Sequence, residues 1–236
     1  MAKFHFVEDY ERYVADLIRR HPLDTAMSLA VGGSYDEVGA IEAEILVHVG
    51  LAPGMAVLDL GCGSGRLAVA LARTLEISYL GLDVVPALLD YARTKTPKSY
   101  RFVLNRALSL PVEAGSVDVL CAFSVFTHLL HAETYLYLED AHRALRSGGR
   151  VVLSFLEFAL PDHWAVFDRT VQAQRASTVP HLNQFIERNQ ITAWAQRLGY
   201  ESVNFIDGNT APWPSGAPLG QSIAVLTKGS SPPLPE

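Results

Sequence analysis

Asp59, Gly61, Gly63 and Gly65 alternate through the run AVLDLGCGSGRLAVALAR, and Asp83 follows 22 residues after Gly61. Glycines at every second position let the backbone take positive φ and approach a ligand that a Cβ would hold off. A carboxylate roughly 20 residues further on is where a nucleotide crevice accepts paired ribose hydroxyls. These residues therefore suit the binding of a nucleotide-containing cofactor. Two plainer readings stand beside that one. The glycines can form an ordinary tight strand-to-helix connection, and Asp83, ahead of Pro86 and an apolar helix, can be an N-cap. A dinucleotide fingerprint GxGxxG needs its third glycine where this chain has Arg66, so that reading weakens. Farther along, His128, or more remotely His131, is a general-base candidate, because histidine as a residue type exchanges its proton near neutral pH; His128 has the structural alternative of bonding the backbone after a strand.

The elements that must position these groups are legible from periodicity. Val57, Leu58 and Leu60 make a buried strand that enters the glycine turn, and LAVALA is the helix face that packs back on the sheet. Ile77 to Leu82 read as a second strand ended by Asp83. Val117 to Phe123 read as a fourth, nearly continuous in apolar residues, as expected of a parallel strand covered on both faces. Ligands bind outside the carboxyl ends of such strands, which places Phe123, Ser124, Thr127 and His128 at the crevice. A helix is expected over Ala132 to Leu145, ended by Ser147, Gly148 and Gly149, before a fifth strand.

The DxGxGxG run from Asp59 to Gly65 resembles the first motif of the class I methyltransferases that use S-adenosylmethionine. NRALSLPVEAGSVDVL is similar to the family pattern GDAxxLPFxDxSFDVV, and LRSGG to its LxPGG turn. The resemblance covers Leu51 to Glu157 well and the flanks loosely. It implies a doubly wound, mostly parallel seven-stranded α/β sheet of Rossmann-like type, with the last strand antiparallel. It further implies a cofactor site at Asp59, Gly61, Cys62, Gly63, Gly65, Asp83, Val84, Ala107, Leu108 and Phe123. There Asp59 lies near the amino end of the cofactor's methionine moiety, Asp83 takes the ribose and Val84 packs on the adenine. Arg106 stands where the family often has an acidic residue facing the adenine amino group, so that contact is missing or replaced. Backbone groups of Ala107 and Leu108 remain available to the adenine edge. The implied function is methyl transfer to a small-molecule O or N acceptor, with His128 as catalytic base. A protein methyltransferase and a cofactor-binding, non-catalytic relative are the alternatives.

Composition narrows the setting. At 236 residues and 49% hydrophobic, the chain can bury one substantial core and fits one domain better than two. A net charge of −6 provides no basic field to gather phosphates, so nucleic acid is not an expected partner. The longest apolar runs are too short to span a bilayer and the amino terminus lacks a secretory pattern, which together predict a cytoplasmic protein. Cys62 and Cys121 read as reduced small hydrophobes. No His, Cys or carboxylate cluster has metal-ligand spacing. Oligomeric state is left open.

The flanks carry the remaining expectations. Residues 1–50 predict a helical cap, with helices over Glu8 to Arg20 and Asp36 to Val49. Tyr35 between them either closes over the cofactor or pins the cap to the core. Residues 51–157 are the cofactor-binding core, and residues 158–228 are the substrate-side segment and last strands. That last part holds a helix near Asp162 to Ala176, a breaker at Pro180, a helix ended by Gly199, and strands over Glu201 to Ile206 and QSIAVLTK. An acceptor cavity bounded by Tyr35, His128, Trp164 and Trp213 follows from this layout, and residues 229–236 are an expected disordered tail.

Overall fold

A computed structural model describes residues 7–177 and 183–230. The breaker expected at Pro180 and the tail beyond Ser230 lie outside the described residues. Three helices come first: α1 (Val7–Arg20), α2 (Leu23–Ala30) and α3 (Tyr35–His48). Strands and helices then alternate through β1 (Ala56–Leu60), α4 (Arg66–Thr74), β2 (Ser78–Asp83), α5 (Pro86–Lys95) and β3 (Arg101–Leu104). β4 (Val117–Ala122), a 3-10 turn at Phe126–His128, α6 (His131–Ala144) and β5 (Leu145–Phe155) follow. α7 (Pro161–Arg175), α8 (Arg188–Leu198), β6 (Tyr200–Ile206) and β7 (Ser222–Lys228) complete the order.

The strands form one seven-stranded sheet in the order β3-β2-β1-β4-β5-β7-β6. β1 to β5 pair in parallel, and β7 runs antiparallel to both of its neighbours. This is the doubly wound, mostly parallel architecture expected. Successive strand side chains point to opposite faces. Leu58 and Leu60 therefore pack with Leu120, Val151 and the α6 residue Leu138 on one side. Val57 packs with Tyr79, Val119, Val152 and the α4 residues Leu67 and Leu71 on the other. Helices cover both faces, which is why the central strands are apolar almost throughout. Asp59 is two residues beyond Val57, so it is buried on the α4 side among apolar neighbours.

Two details differ from the sequence reading. Pairing of β5 with β4 already begins at Leu145, immediately after α6. Val117 pairs with Leu145 and Val119 with Arg150, so five steps along β5 oppose two along β4. Ser147, Gly148 and Gly149 form that bulge inside the strand and not a turn ahead of it. The cap also has a third helix, α2, which follows Pro22 and buries Ala26, Met27 and Ala30.

Candidate functional site

The strand order reverses direction between β1 and β4, and a cavity of about 770 Å³ opens at the carboxyl ends on that line. This is where open α/β sheets bind ligands, and the volume is within the usual range for small-molecule sites. The glycine turn forms its floor. Gly61 and Cys62 both donate backbone N–H bonds to the Leu82 carbonyl, at 2.7 and 2.9 Å, which ties the turn to the end of β2. Gly61 and Gly63 have φ of +72° and +53°. A Cβ on Gly61 would stand 2.4 Å from Val125 Cγ2, and one on Gly63 2.6 Å from Val31 Cγ1. Gly65 closes the turn through its N–H to the Cys62 carbonyl and leads into α4.

Two buried carboxylates flank this floor. Asp83 accepts from the Gly63 N–H through Oδ2 and from the Val85 N–H through Oδ1, both at 2.9 Å. Burial pushes its carboxyl up, and these backbone donors oppose the shift. A carboxylate can accept about four bonds in all, which leaves capacity for a ligand. The N-cap position of α5 belongs to Val85, so Asp83 orients the turn instead of capping the helix. Asp59 accepts from the Tyr79 hydroxyl at 2.5 Å, and burial pushes its carboxyl up to about 7 against the pull of that bond. Glu42 of α3, also buried, is held by the Arg66 guanidinium, which donates from Nε at 3.0 and 3.1 Å. Burial raises the Glu42 carboxyl and Arg66 counters it.

Ser124, Thr127 and His128, which follow β4, line the same cavity. Residues 58–153 match the family model described as a methyltransferase domain. In motif and in fold the chain resembles the class I S-adenosylmethionine-dependent methyltransferases. Relatives of the chain include the malonyl-[acyl-carrier protein] O-methyltransferase of Serratia marcescens, 26% identical over 80% of this chain and 71% of that protein. The demethylmenaquinone methyltransferase of Deinococcus radiodurans is 35% identical over 59% of this chain and 55% of its own length. In fold, the chain is similar to a SAM-dependent methyltransferase from Thermotoga maritima, with a TM-score of 0.66 and 16% identity over 95% of this chain and 99% of that one. The chain spans about half the length of the first curated relatives it matches.

Asp59, Gly61, Cys62, Gly63, Asp83, Val84 and Phe123 all line this cavity, whereas Gly65 does not and has Ala92 and Tyr35 beside it. Ala107 and Leu108 do not line it. The Ala107 carbonyl is occupied by the Tyr137 hydroxyl at 2.8 Å, and Asn105, 8% exposed, forms that wall in their place. Arg106 turns away from the cavity. Its Nε and Nη2 donate to the Val84 carbonyl at 3.1 and 3.0 Å, and Nη2 also pairs with Glu11 of α1. His131 is outside: its Nδ1 accepts from Gln190 at 3.2 Å, which leaves Nε2 to donate to the Phe185 carbonyl at 3.0 Å.

Of the four residues expected to bound the acceptor cavity, only His128 does so. Tyr35 is the pin, with its hydroxyl on the Ser64 carbonyl at 2.8 Å and its ring edge-on to Tyr91. Trp213 is buried in the core against His48. Trp164 lies in an aromatic cluster on the surface with Phe158 and Phe167. In their place α1 brings Asp9, Tyr10 and Tyr13 to the cavity, and the segment before β7 brings Leu219, Gly220 and Gln221. The α1 residues had no signal beyond helical spacing. Gln221 sits at the end of a Pro/Gly-rich loop, the one cue pointing to it.

Proposed function

We propose that this chain transfers the methyl group of S-adenosylmethionine to an oxygen or nitrogen of a small-molecule acceptor. The observation that carries the reading is one cavity lined by the glycine turn, by two buried carboxylates and by His128. The residues present fit the cofactor. A Cβ-free floor admits close approach, and a buried carboxyl with its pKa near 7 gains an ionic partner when an ammonium enters. Asp59 accepts from that ammonium, and the remaining lone pairs of Asp83 accept the two ribose hydroxyls. Val84 packs on the adenine, and Asn105 reads its edge in place of the missing acidic residue.

When bound, S-adenosylmethionine supplies a methyl group already activated as a sulfonium. The chain's own residues align the acceptor and exclude water, which removes much of the barrier without a covalent intermediate. His128 takes the proton of a hydroxyl acceptor. Residues 1–50 serve as the cap, residues 51–157 hold the donor and residues 158–228 complete the acceptor side within one domain. Among the described residues no helix is long and apolar enough to cross a membrane. A cytoplasmic setting is part of this reading.

Calorimetric titration with S-adenosylhomocysteine tests the donor site, and saturable binding is expected. His128→Ala is expected to keep that binding while lowering turnover of a hydroxyl acceptor on the order of 100-fold, the usual contribution of a general base. Unchanged turnover would remove His128 from the chemistry and leave the donor site standing.

A further inference from the structure

The charges around the cavity are distributed unevenly. Its donor end carries the carboxylates of Asp9, Glu42, Asp59 and Asp83, with Arg66 already committed to Glu42. The lining contributed after β4, which we take as the acceptor side, has among the described residues neither a carboxylate nor a lysine or arginine. Its apolar wall is made by Val125, Leu129, Leu156, Val166 and Leu219. Its polar groups are His128 and the neutral side chains Ser124, Thr127, Asn183 and Gln221.

Three of the polar groups in this region form a closed ring. The Ser124 N–H donates to Ser154 Oγ at 2.7 Å, Ser154 Oγ donates to Gln221 Oε1 at 2.8 Å, and Gln221 Nε2 donates to Ser124 Oγ at 3.0 Å. Ser154 is fully buried, and Ser124 holds a φ of +58°, a costly conformation for a residue with a Cβ. With Ser154 Oγ donating to Gln221 Oε1, the amide nitrogen is turned to Ser124 Oγ. Ser124 Oγ receives from Gln221, so the hydroxyl proton of Ser124 is the donor left over for the cavity that this residue lines.

We propose that the acceptor is an uncharged, largely apolar molecule whose oxygen is bound by the Ser124 hydroxyl, and that anionic acceptors such as carboxylates and phosphates are rejected. This rests on the methyl-transfer reading for the identity of the site, and adds its substrate class. An anion entering this side would lose its hydration with no lysine or arginine of the chain to replace it, and it would face the carboxylates lining the same cavity; S-adenosylhomocysteine lacks the sulfonium of the donor, so titration against it reads the chain's own preference. A neutral molecule loses only the hydration of one polar group, which the Ser124 donor restores.

The test uses matched pairs titrated calorimetrically into the full chain at pH 7.5 with saturating S-adenosylhomocysteine: 1-naphthol against 1-naphthoate, and octan-1-ol against octanoate. In at least one pair the alcohol is expected to bind on the order of tenfold more tightly. Ser124→Ala should weaken 1-naphthol about fivefold and leave naphthalene unchanged. Val166→Lys should raise naphthoate affinity about tenfold without altering S-adenosylhomocysteine binding. If V166K does not fold, Leu219→Lys adds the same charge from the segment before β7. Carboxylates binding as tightly as their alcohols, no binding by any pair, or an added lysine without effect on naphthoate would each overturn the proposal. Absence of S-adenosylhomocysteine binding would defeat the methyl-transfer reading alone, because the same pairs titrated into the ligand-free chain still decide the charge preference.

Discussion

Asp59 pairs a functional placement with an energetic cost. Its carboxyl is raised to about 7 by burial, well above the value of an exposed aspartate. Between the unfolded and folded pKa values the native state holds a proton that the unfolded state has released, so stability falls as pH rises across that window. Asp59→Asn removes this loss and can still accept from Tyr79. The stability advantage of the variant is expected to grow by up to about 3 kcal/mol between pH 5 and pH 8, measured by urea unfolding of the ligand-free protein. An advantage equal at both pH values would separate Asp59 ionisation from folding. The same variant should bind S-adenosylhomocysteine at least about tenfold more weakly, since it lacks the charge that we propose meets the ammonium. The sequence identified Asp59 and Asp83 through their spacing from the glycines. It did not reveal that backbone donors already engage both Asp83 oxygens, because those donors come from two different turns.

Elements set what the site can tolerate. In the turn between β1 and α4, Gly63 combines positive φ with a position where an added Cβ would stand 2.6 Å from Val31 Cγ1 of the cap. Gly63→Ala is expected to destabilise the fold by about 2–4 kcal/mol, combining the left-handed penalty with overpacking, and thermal unfolding measures it. A loss below roughly 1 kcal/mol would mean the cap yields easily at that point. The cap helix α1 is held differently. It packs chiefly against α2, buries Val7 in the main core and Val14 against Leu88 and Tyr91 of α5, and adds the Arg106–Glu11 pair, whose side chains are 43% and 35% exposed. Such a pair contributes about 0–1 kcal/mol. Arg106→Ala is therefore expected to leave the melting temperature nearly unchanged while amide exchange in α1 accelerates. Slow exchange in the variant would show that the apolar contacts of α1 suffice. Sequence alone marked Arg106 as a departure from the family's pattern, but its partner is 95 residues away in a helix whose docking no local signal specifies.

Across the whole molecule, binding at the switch point of the sheet couples the glycine turn, the cap and the loops after β4 and before β7. A ligand that binds only the native state stabilises it by mass action, about 2.7 kcal/mol at a concentration 100 times its Kd. For a chain of this size, S-adenosylhomocysteine at that excess should raise the melting temperature by roughly 5–10 °C, read by differential scanning fluorimetry. No shift would mean that the ligand does not bind the native chain. The sequence by itself determined the sheet, its parallel core and the donor motif, because periodicity of two, helical spacing and a glycine run are local patterns that act over a few residues. It also gave His128, since a loop leaving the carboxyl end of a central strand has only one place to go. The tertiary structure alone decided which surfaces close the cavity. Tyr35, Trp164 and Trp213 gave way to Tyr10, Tyr13 and Gln221, and Ala107 and Leu108 to Asn105. Those assignments depend on how α1 and the segment before β7 pack across the sheet ends, and packing between segments far apart in the chain follows from mutual burial, which leaves no periodic trace in either segment.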